Sequence, residues 1–545
     1  MNKLKRGLKS NFWLIIAISL SILLIVLWFA SLTEREMLVL FSSDALYLPS
    51  IYRDIFEHGN TVQGWTFNPA PNFVPDMLLF STLMLITSNF LTATFLFSFI
   101  QYFLIIFLFY KIFRQISSIR SSVFSLSVYL FSFFLFYFLV DNDFYYSYLI
   151  MSNSYHNGTF FMALICIWLS IKFLKKESWS ILAFLFLFSA IAYPCDRLFL
   201  AVFILPALFT SIILLITERN KKKICKIGIA YIFGLLLGMV IFDKFTHNSV
   251  FHLTQMHQLL NWENIISALN ILSTQLKIYL FEISFKSLTI TLSILSFIGT
   301  VYYCISQFIK IKQRKQEVSL FFIWETFILF FTPIVMLIPV LNGNYLGFDC
   351  IRYNYFVFII LLFNLIALLN HFFEKHQRVI MGINGFFAIT LTIYLSLSIY
   401  RINFVSGFKN YFSTYTDRTH SVDKQFTENK TVIYGITNDY WYAKHVTMFS
   451  RNNIRLHATS PDAMPYTHVT NKNWYFSKGN WKYANPQFTF LLWDSDLPLP
   501  DFFAKENPTL ESCIVNKNKT LYFVKPFIFT LDSNQALLIK SVTEE

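Results

Sequence analysis

The residues able to do chemistry are few, and they stand at the ends of long apolar runs. Arg352 and Tyr353, in Asp349-Cys-Ile-Arg-Tyr353, stand at the head of one such run. A guanidinium there suits a phosphate or pyrophosphate, because its planar fork makes paired charge-assisted bonds; snorkelling or an ion pair with Asp349 is the competing reading. Asp196 and Arg197, in Tyr193-Pro-Cys-Asp-Arg-Leu198, share a tight turn and could simply pair with each other. Asp141-Asn142-Asp143 precedes Tyr145, Tyr146, Tyr148, Tyr155 and His156, which gathers acids, phenols and an imidazole in one connection. The D-x-D spelling invites a metal, but two carboxylates are an incomplete shell, and solvated or capping roles compete. The first long connection carries Glu34, Glu36, Asp44, Arg53, Asp54 and Glu57, and Asp76 stands at the head of the next apolar run. His247, His252 and His257 recur every five residues, an interval that leaves successive side chains about 140° apart on a helix. They read as interfacial loop histidines and not as a metal-binding face.

The elements that must hold these groups follow from composition. Of 545 residues, 55% are hydrophobic, 19% aromatic and only 14% charged, against about 25% charged in an ordinary soluble domain. Apolar runs lie at 12–29, 90–110, 121–140, 158–171, 178–193, 198–217, 227–242, 283–309, 319–341, 353–373 and 380–400, which predicts about eleven spans. The 158–171 and 178–193 runs are shorter than the roughly 20 residues a span needs, so their helices should extend into flanking residues. Lys3, Lys5, Arg6 and Lys9 precede the first run, which reads as a retained first span in preference to a cleaved signal.

Basic residues collect in alternate connections: Lys111, Arg114 and Arg120; Lys172, Lys175 and Lys176; Arg219 with Lys221 to Lys226; Lys310 to Lys315; and Lys375 with Arg378. These connections are read as cytoplasmic. The N-terminus (1–11) is then inside, residues 12–400 form the membrane domain, the 30–75 connection is outside, and so is the tail 401–545. The net charge of +13 is a topology signal spread over short loops, which removes a nucleic-acid reading.

Within the outer connection, Asp44 to Phe56 reads as a helix lying on the interface. Trp65, Phe67 and Phe73 suit the headgroup level, and Met77 to Thr87 is apolar but too short to cross. In the tail, short β-branched or alternating runs at Thr431–Ile436, Asn453–Ala458, Phe488–Trp493 and Thr520–Phe523 predict a small extracytoplasmic α+β domain. Trp441, Trp474, Trp481 and Trp493 either fill its core or line a carbohydrate-contacting face. The six cysteines show no zinc or C-x-x-C spacing, and there is no nucleophile elbow and no Gly-rich phosphate loop. No cofactor and no metal is implied.

An inside N-terminus, a long acidic first outer loop with interfacial helices, ten or more spans and an outer C-terminal domain together resemble the polytopic membrane glycosyltransferases of the C-type fold (GT-C), which include arabinosyl, mannosyl, aminoarabinose and oligosaccharyl transferases. The resemblance implies an all-α membrane bundle that takes a sugar from a polyprenyl-phosphate donor and places it on an envelope glycan, lipid or protein acceptor at the outer face. It implies a catalytic carboxylate in the first outer loop, which falls on Asp44 or Asp54. This chain departs from the compact two-acid spelling, since Asp44 stands alone in SSDALYLPS and Asp54 follows ten residues later. On this reading Arg352 clamps the leaving phosphate with Arg53 and Arg197 behind it, while His156, Asp143 and Tyr353 contact substrate. A bacterial inner membrane is the expected location.

Competing classes are a polysaccharide polymerase or ligase, a transporter or flippase of lipid-linked sugars, and a non-enzymatic envelope protein. A transporter would place ionisable groups near mid-membrane and show repeats. Here they cluster at the outer rim, which favours surface chemistry.

Overall fold

The computed structural model describes residues 18–116, 150–153, 156–217, 221–247, 252–253, 261–281, 285–313, 318–373, 404–426, 431–476, 486–531 and 537–542, apart from positions 20, 24, 344 and 508, together with scattered positions between 376 and 396. Among them, seven helices are long and apolar enough to cross a membrane: Phe90–Ile116, Asn157–Lys175, Leu200–Thr217, Lys221–Thr246, Thr289–Lys312, Leu320–Leu341 and Tyr355–Phe372. The 27 residues of Phe90–Ile116 span about 40 Å, more than a hydrocarbon core of about 30 Å.

The count differs from eleven for identifiable reasons. The 121–140 run and most of 380–400 lie outside the described residues, and the first run is described only in part, as Ser21–Ser31. Trp179–Cys195 stops at 17 residues, because Ser178 and Asp196 flank it in extended conformation. One helix was not expected: Trp262–Phe281 buries Ile265, Ala268, Leu272, Gln275 and Tyr279, a stripe at alternating intervals of three and four, and leaves its other faces open.

The membrane helices pack through small residues. Gly234 and Gly238, one turn apart, face the Trp179–Cys195 helix; a Cβ at Gly234 would lie 2.6 Å from the Phe186 carbonyl, and one at Gly238 3.1 Å from that of Ala190. Such close backbone approach is what holds helices together where lipid is as apolar as leucine. The outward faces carry exposed Phe209, Ile212, Ile229, Phe233, Leu236, Val240 and Ile298, as a lipid-facing surface requires. Glu325 is wholly buried among three spans. Its Oε2 accepts from Thr300 Oγ1 at 2.7 Å and Asn364 Nδ2 at 3.1 Å, and Trp324 donates to Asn364 Oδ1 at 2.5 Å.

The first outer connection folds as short helices. A capping box of Thr33 and Glu36 starts Glu34–Leu40. Tyr47–Tyr52 continues into a π-helical turn, Arg53–Glu57, and a second such turn, Phe73–Met77, leads into Leu78–Thr87. Thr66–Phe67 pairs in parallel with His252–Leu253.

The C-terminal region is β-rich. Strand Ile433–Thr437 lies between Ile454–Ala458 and Phe488–Asp494, parallel to both; Lys519–Leu531 then runs antiparallel to Phe488–Asp494 and pairs on its other edge with Glu511–Asn516 and Leu537–Ser541. The two strands missed in the sequence, Glu511–Asn516 and Leu537–Ser541, are edge strands: polar residues dilute the first, and the second is five residues with no alternation. Trp493 is fully buried, whereas Trp441 is 47% exposed; Trp481 lies outside the described residues.

This domain is tied directly to the first outer connection. Thr66 N donates to Thr470 O at 2.8 Å, Lys472 N to Gly64 O at 2.8 Å, and Ser43 Oγ to Tyr440 O at 2.6 Å.

Candidate active site at the outer rim

The structure distributes the sequence-predicted residues over three clusters. The first contains Asp44. It lies in the turn before Tyr47–Tyr52, half-buried, and its Oδ1 accepts from the Tyr440 hydroxyl at 2.9 Å, the one hydrogen bond of its carboxylate among the described residues. Asp439 caps the Tyr440–Phe449 helix, which sets Tyr440 and Lys444 one turn apart on the face toward Asp44. Lys444 is buried and donates to Ser43 O at 3.1 Å and Tyr440 Oη at 3.4 Å. Burial pulls its ammonium down to about 7, an effect the Asp44 charge partly offsets. Tyr466 and His468 complete the wall, with ring centroids 5.7 and 5.4 Å from Tyr440. Burial also lowers His468, again against the pull of Asp44.

The second cluster is built on Asp54, which is 1% exposed. Oδ1 accepts from Asn60 Nδ2 at 2.6 Å and Trp474 Nε1 at 2.8 Å; Oδ2 accepts from Trp65 Nε1 at 2.7 Å and Asn471 Nδ2 at 2.9 Å. Four donors fill the four lone-pair directions of a carboxylate. Two come from the outer connection and two from the C-terminal domain, so Asp54 is a strut across the seam. Arg53, beside it, reaches Thr447 O at 3.4 Å and Glu57 at 3.6 Å.

The third cluster joins residues far apart in sequence: Asp76, His156, Asp196, Arg352 and Tyr353. Asp196 Oδ2 accepts from Thr159 Oγ1 at 2.6 Å and meets His156 Nδ1 at 2.6 Å, while Leu198 N donates to Oδ1 at 2.9 Å. Burial alone would raise the Asp196 carboxyl, but the His156 charge and these hydrogen bonds hold it below the usual carboxylate range. For His156, burial acts downward and the Asp196 carboxylate outweighs it, so the imidazole is raised. Asp76 is the opposite case: burial, with the Asp196 charge beside it, pushes its carboxyl up to about 8. A Cβ on Gly158 would overlap the Asp76 carboxylate, so only glycine lets the start of Asn157–Lys175 approach it. Two acids thus stand in opposite protonation states near neutral pH, an arrangement enzymes use to separate acid and base roles. The Arg352 charge is felt at His156, and its guanidinium stacks over Tyr353 at 5.3 Å, whose ring is 6.2 Å from His156.

Arg197 stacks on Phe242 at 4.8 Å, beside this cluster. Asp143 lies outside the described residues. Asp76, Lys444 and His468 were not singled out from the sequence as site residues. Asp76 carried a signal, an acid directly ahead of an apolar run; Lys444 and His468 carried none, being ordinary polar positions of the tail until the seam closes. The clusters are bridged by the Tyr47 hydroxyl, which donates to Pro71 O at 3.2 Å, and by Asn72 N, which donates to Cys195 O at 3.0 Å.

No family model matches the chain, and no curated protein matches it in sequence. Among solved structures, the chain is similar to the crystal structure of ArnT from Cupriavidus metallidurans in the apo state, at 12% identity and a TM-score of 0.47 over 94% of this chain and 98% of that one.

Proposed function

We propose that this chain is an integral membrane glycosyltransferase of the bacterial inner membrane that moves a sugar from a polyprenyl-phosphate carrier to an envelope glycan, lipid or protein acceptor at the outer face. The observation that carries the reading is the pairing of an apolar, lipid-facing bundle with a rim of carboxylates and a guanidinium at one end. A substrate whose tail is lipid and whose head is a phosphosugar needs both. Asp44, whose carboxylate has one hydrogen bond among the described residues, is the base, and Asp54, saturated by four donors, positions the loop that carries it.

In the reaction Asp44 accepts the proton of an acceptor hydroxyl as its oxygen attacks the anomeric carbon. The bond from that carbon to the phosphate oxygen breaks, and the electron pair leaves with the phosphate. Arg352 meets the developing charge, and the His156–Asp196 pair and Tyr353 orient its surroundings. Lys444 and Tyr440 keep the Asp44 carboxylate aimed. Arg53 and Arg197 flank the site. Wild-type protein in lipid nanodiscs, offered a panel of polyprenyl-phosphate sugars with envelope glycan and lipid acceptors, should consume at least one carrier and release polyprenyl phosphate. Folded protein that consumes none of them would sink the proposal.

A further inference from the structure

A groove lies between the outer connection and the C-terminal domain, walled in part by Asp54 and separate from Asp44 and from the Asp76, Asp196 and Arg352 cluster. Arg53 lines it from one side and Thr447, Arg455, His457 and Trp474 from the other. The Nη1 atoms of Arg53 and Arg455 approach the same oxygen, the Thr447 carbonyl, at 3.4 and 3.2 Å. Two guanidinium groups therefore converge on one point of the wall, as they do where an oxyanion is held. Glu57, the ion-pair partner of Arg53, is 45% exposed, and the Asp54 carboxylate on the same wall has its charge spread over four N–H donors.

Beside the guanidinium groups is a ring face. His457 stacks on Trp474 with centroids 5.7 Å apart at 28°, and Tyr434 lies 6.2 Å from His457. His457 is 6% exposed, and its buried Nε2 has no hydrogen-bond partner among the described residues. Burial and the Arg455 charge keep this imidazole neutral. A buried polar atom left unmatched is costly, and a ligand hydroxyl or oxyanion in the groove supplies its match. An aromatic face edged by polar groups is what a sugar ring packs against.

We propose that this groove binds a saccharide bearing an oxyanion, a carboxylate or a phosphate, with Arg53 and Arg455 on the charge and the His457–Trp474 face against the ring. The groove thereby names the class of acceptor, an anionic glycan; only that acceptor role rests on the transfer reading. The test is saturation-transfer NMR on the full chain in nanodiscs with no carrier present, using glucuronate, glucose 6-phosphate and glucose as probes. At least one anionic probe should bind ten-fold or more tighter than glucose, and which one does so separates carboxylate from phosphate. Arg53→Gln and Arg455→Gln should each remove at least ten-fold of that affinity. The half-exposed Arg53 keeps the test decisive if the buried Arg455 variant does not fold. Glucose binding as tightly as both anions, no binding of either anion, or an R53Q protein with unchanged affinity overturns the proposal. Anion binding by a protein that consumes no carrier would overturn the transfer reading and leave this site standing.

Discussion

Asp76 is buried against Gly158 with the Asp196 charge nearby, and its carboxyl is raised from an ordinary 3.8 to about 8. Between those pH values the folded chain holds a proton that the unfolded chain has released. Stability from this group is therefore full below about pH 4 and is lost as pH rises toward 8, at up to about 1.4 kcal/mol per pH unit. Asp196, lowered, works the other way and loses its contribution only as pH falls through the acid range; His156, raised, loses its own contribution above its ordinary 6.5. Asp76→Asn keeps the shape of the neutral acid and cannot titrate. Thermal unfolding of wild-type and D76N protein between pH 4.5 and 8.5 should show the wild type falling relative to the variant as pH rises. Parallel curves would mean that Asp76 is an ordinary carboxylate.

Between elements, the seam of the outer connection and the C-terminal domain depends on Asp54. Asn at this position replaces one carboxylate oxygen by an N–H donor, which then faces either Asn60 and Trp474 or Trp65 and Asn471. A buried donor set against donors costs about 2 kcal/mol. Asp54→Asn should therefore lower the unfolding midpoint and speed protease cleavage near residues 60–66, where the bridge to residues 470–473 opens. A D54N protein as stable and as resistant as wild type would remove the strut. None of this pairing is readable from Asp54 alone: the donors lie up to 420 positions away, and nothing local in the sequence separates Asp54 from Asp44. The outer helices Tyr47–Tyr52 and Leu78–Thr87 were readable, the first because its apolar residues sit among polar groups and the second because it is an apolar run too short to cross.

For the whole molecule, apolar run length carried most of the architecture, and four of the six C-terminal strands lie on the runs that predicted them. Trp262–Phe281 was not visible as a helix, since Asn, Gln, Ser and Lys interrupt its apolar residues and only the three-four stripe survives. The rim cluster was half legible: His156, Arg352 and Tyr353 stood out as rare ionisable or phenolic groups at span ends. Their meeting with Asp76 and Asp196 depends on how the spans pack, which no local pattern records.

The proposed transfer from a lipid-linked donor depends on Asp44 as its base. The measurement that reaches it most directly is the rate of polyprenyl phosphate release by reconstituted Asp44→Asn protein beside wild type, with unfolding midpoints recorded for both. Loss of a general base predicts a fall of about 10²- to 10⁴-fold at an unchanged midpoint. A D44N protein that is folded and transfers at the wild-type rate would rule out Asp44 as the base.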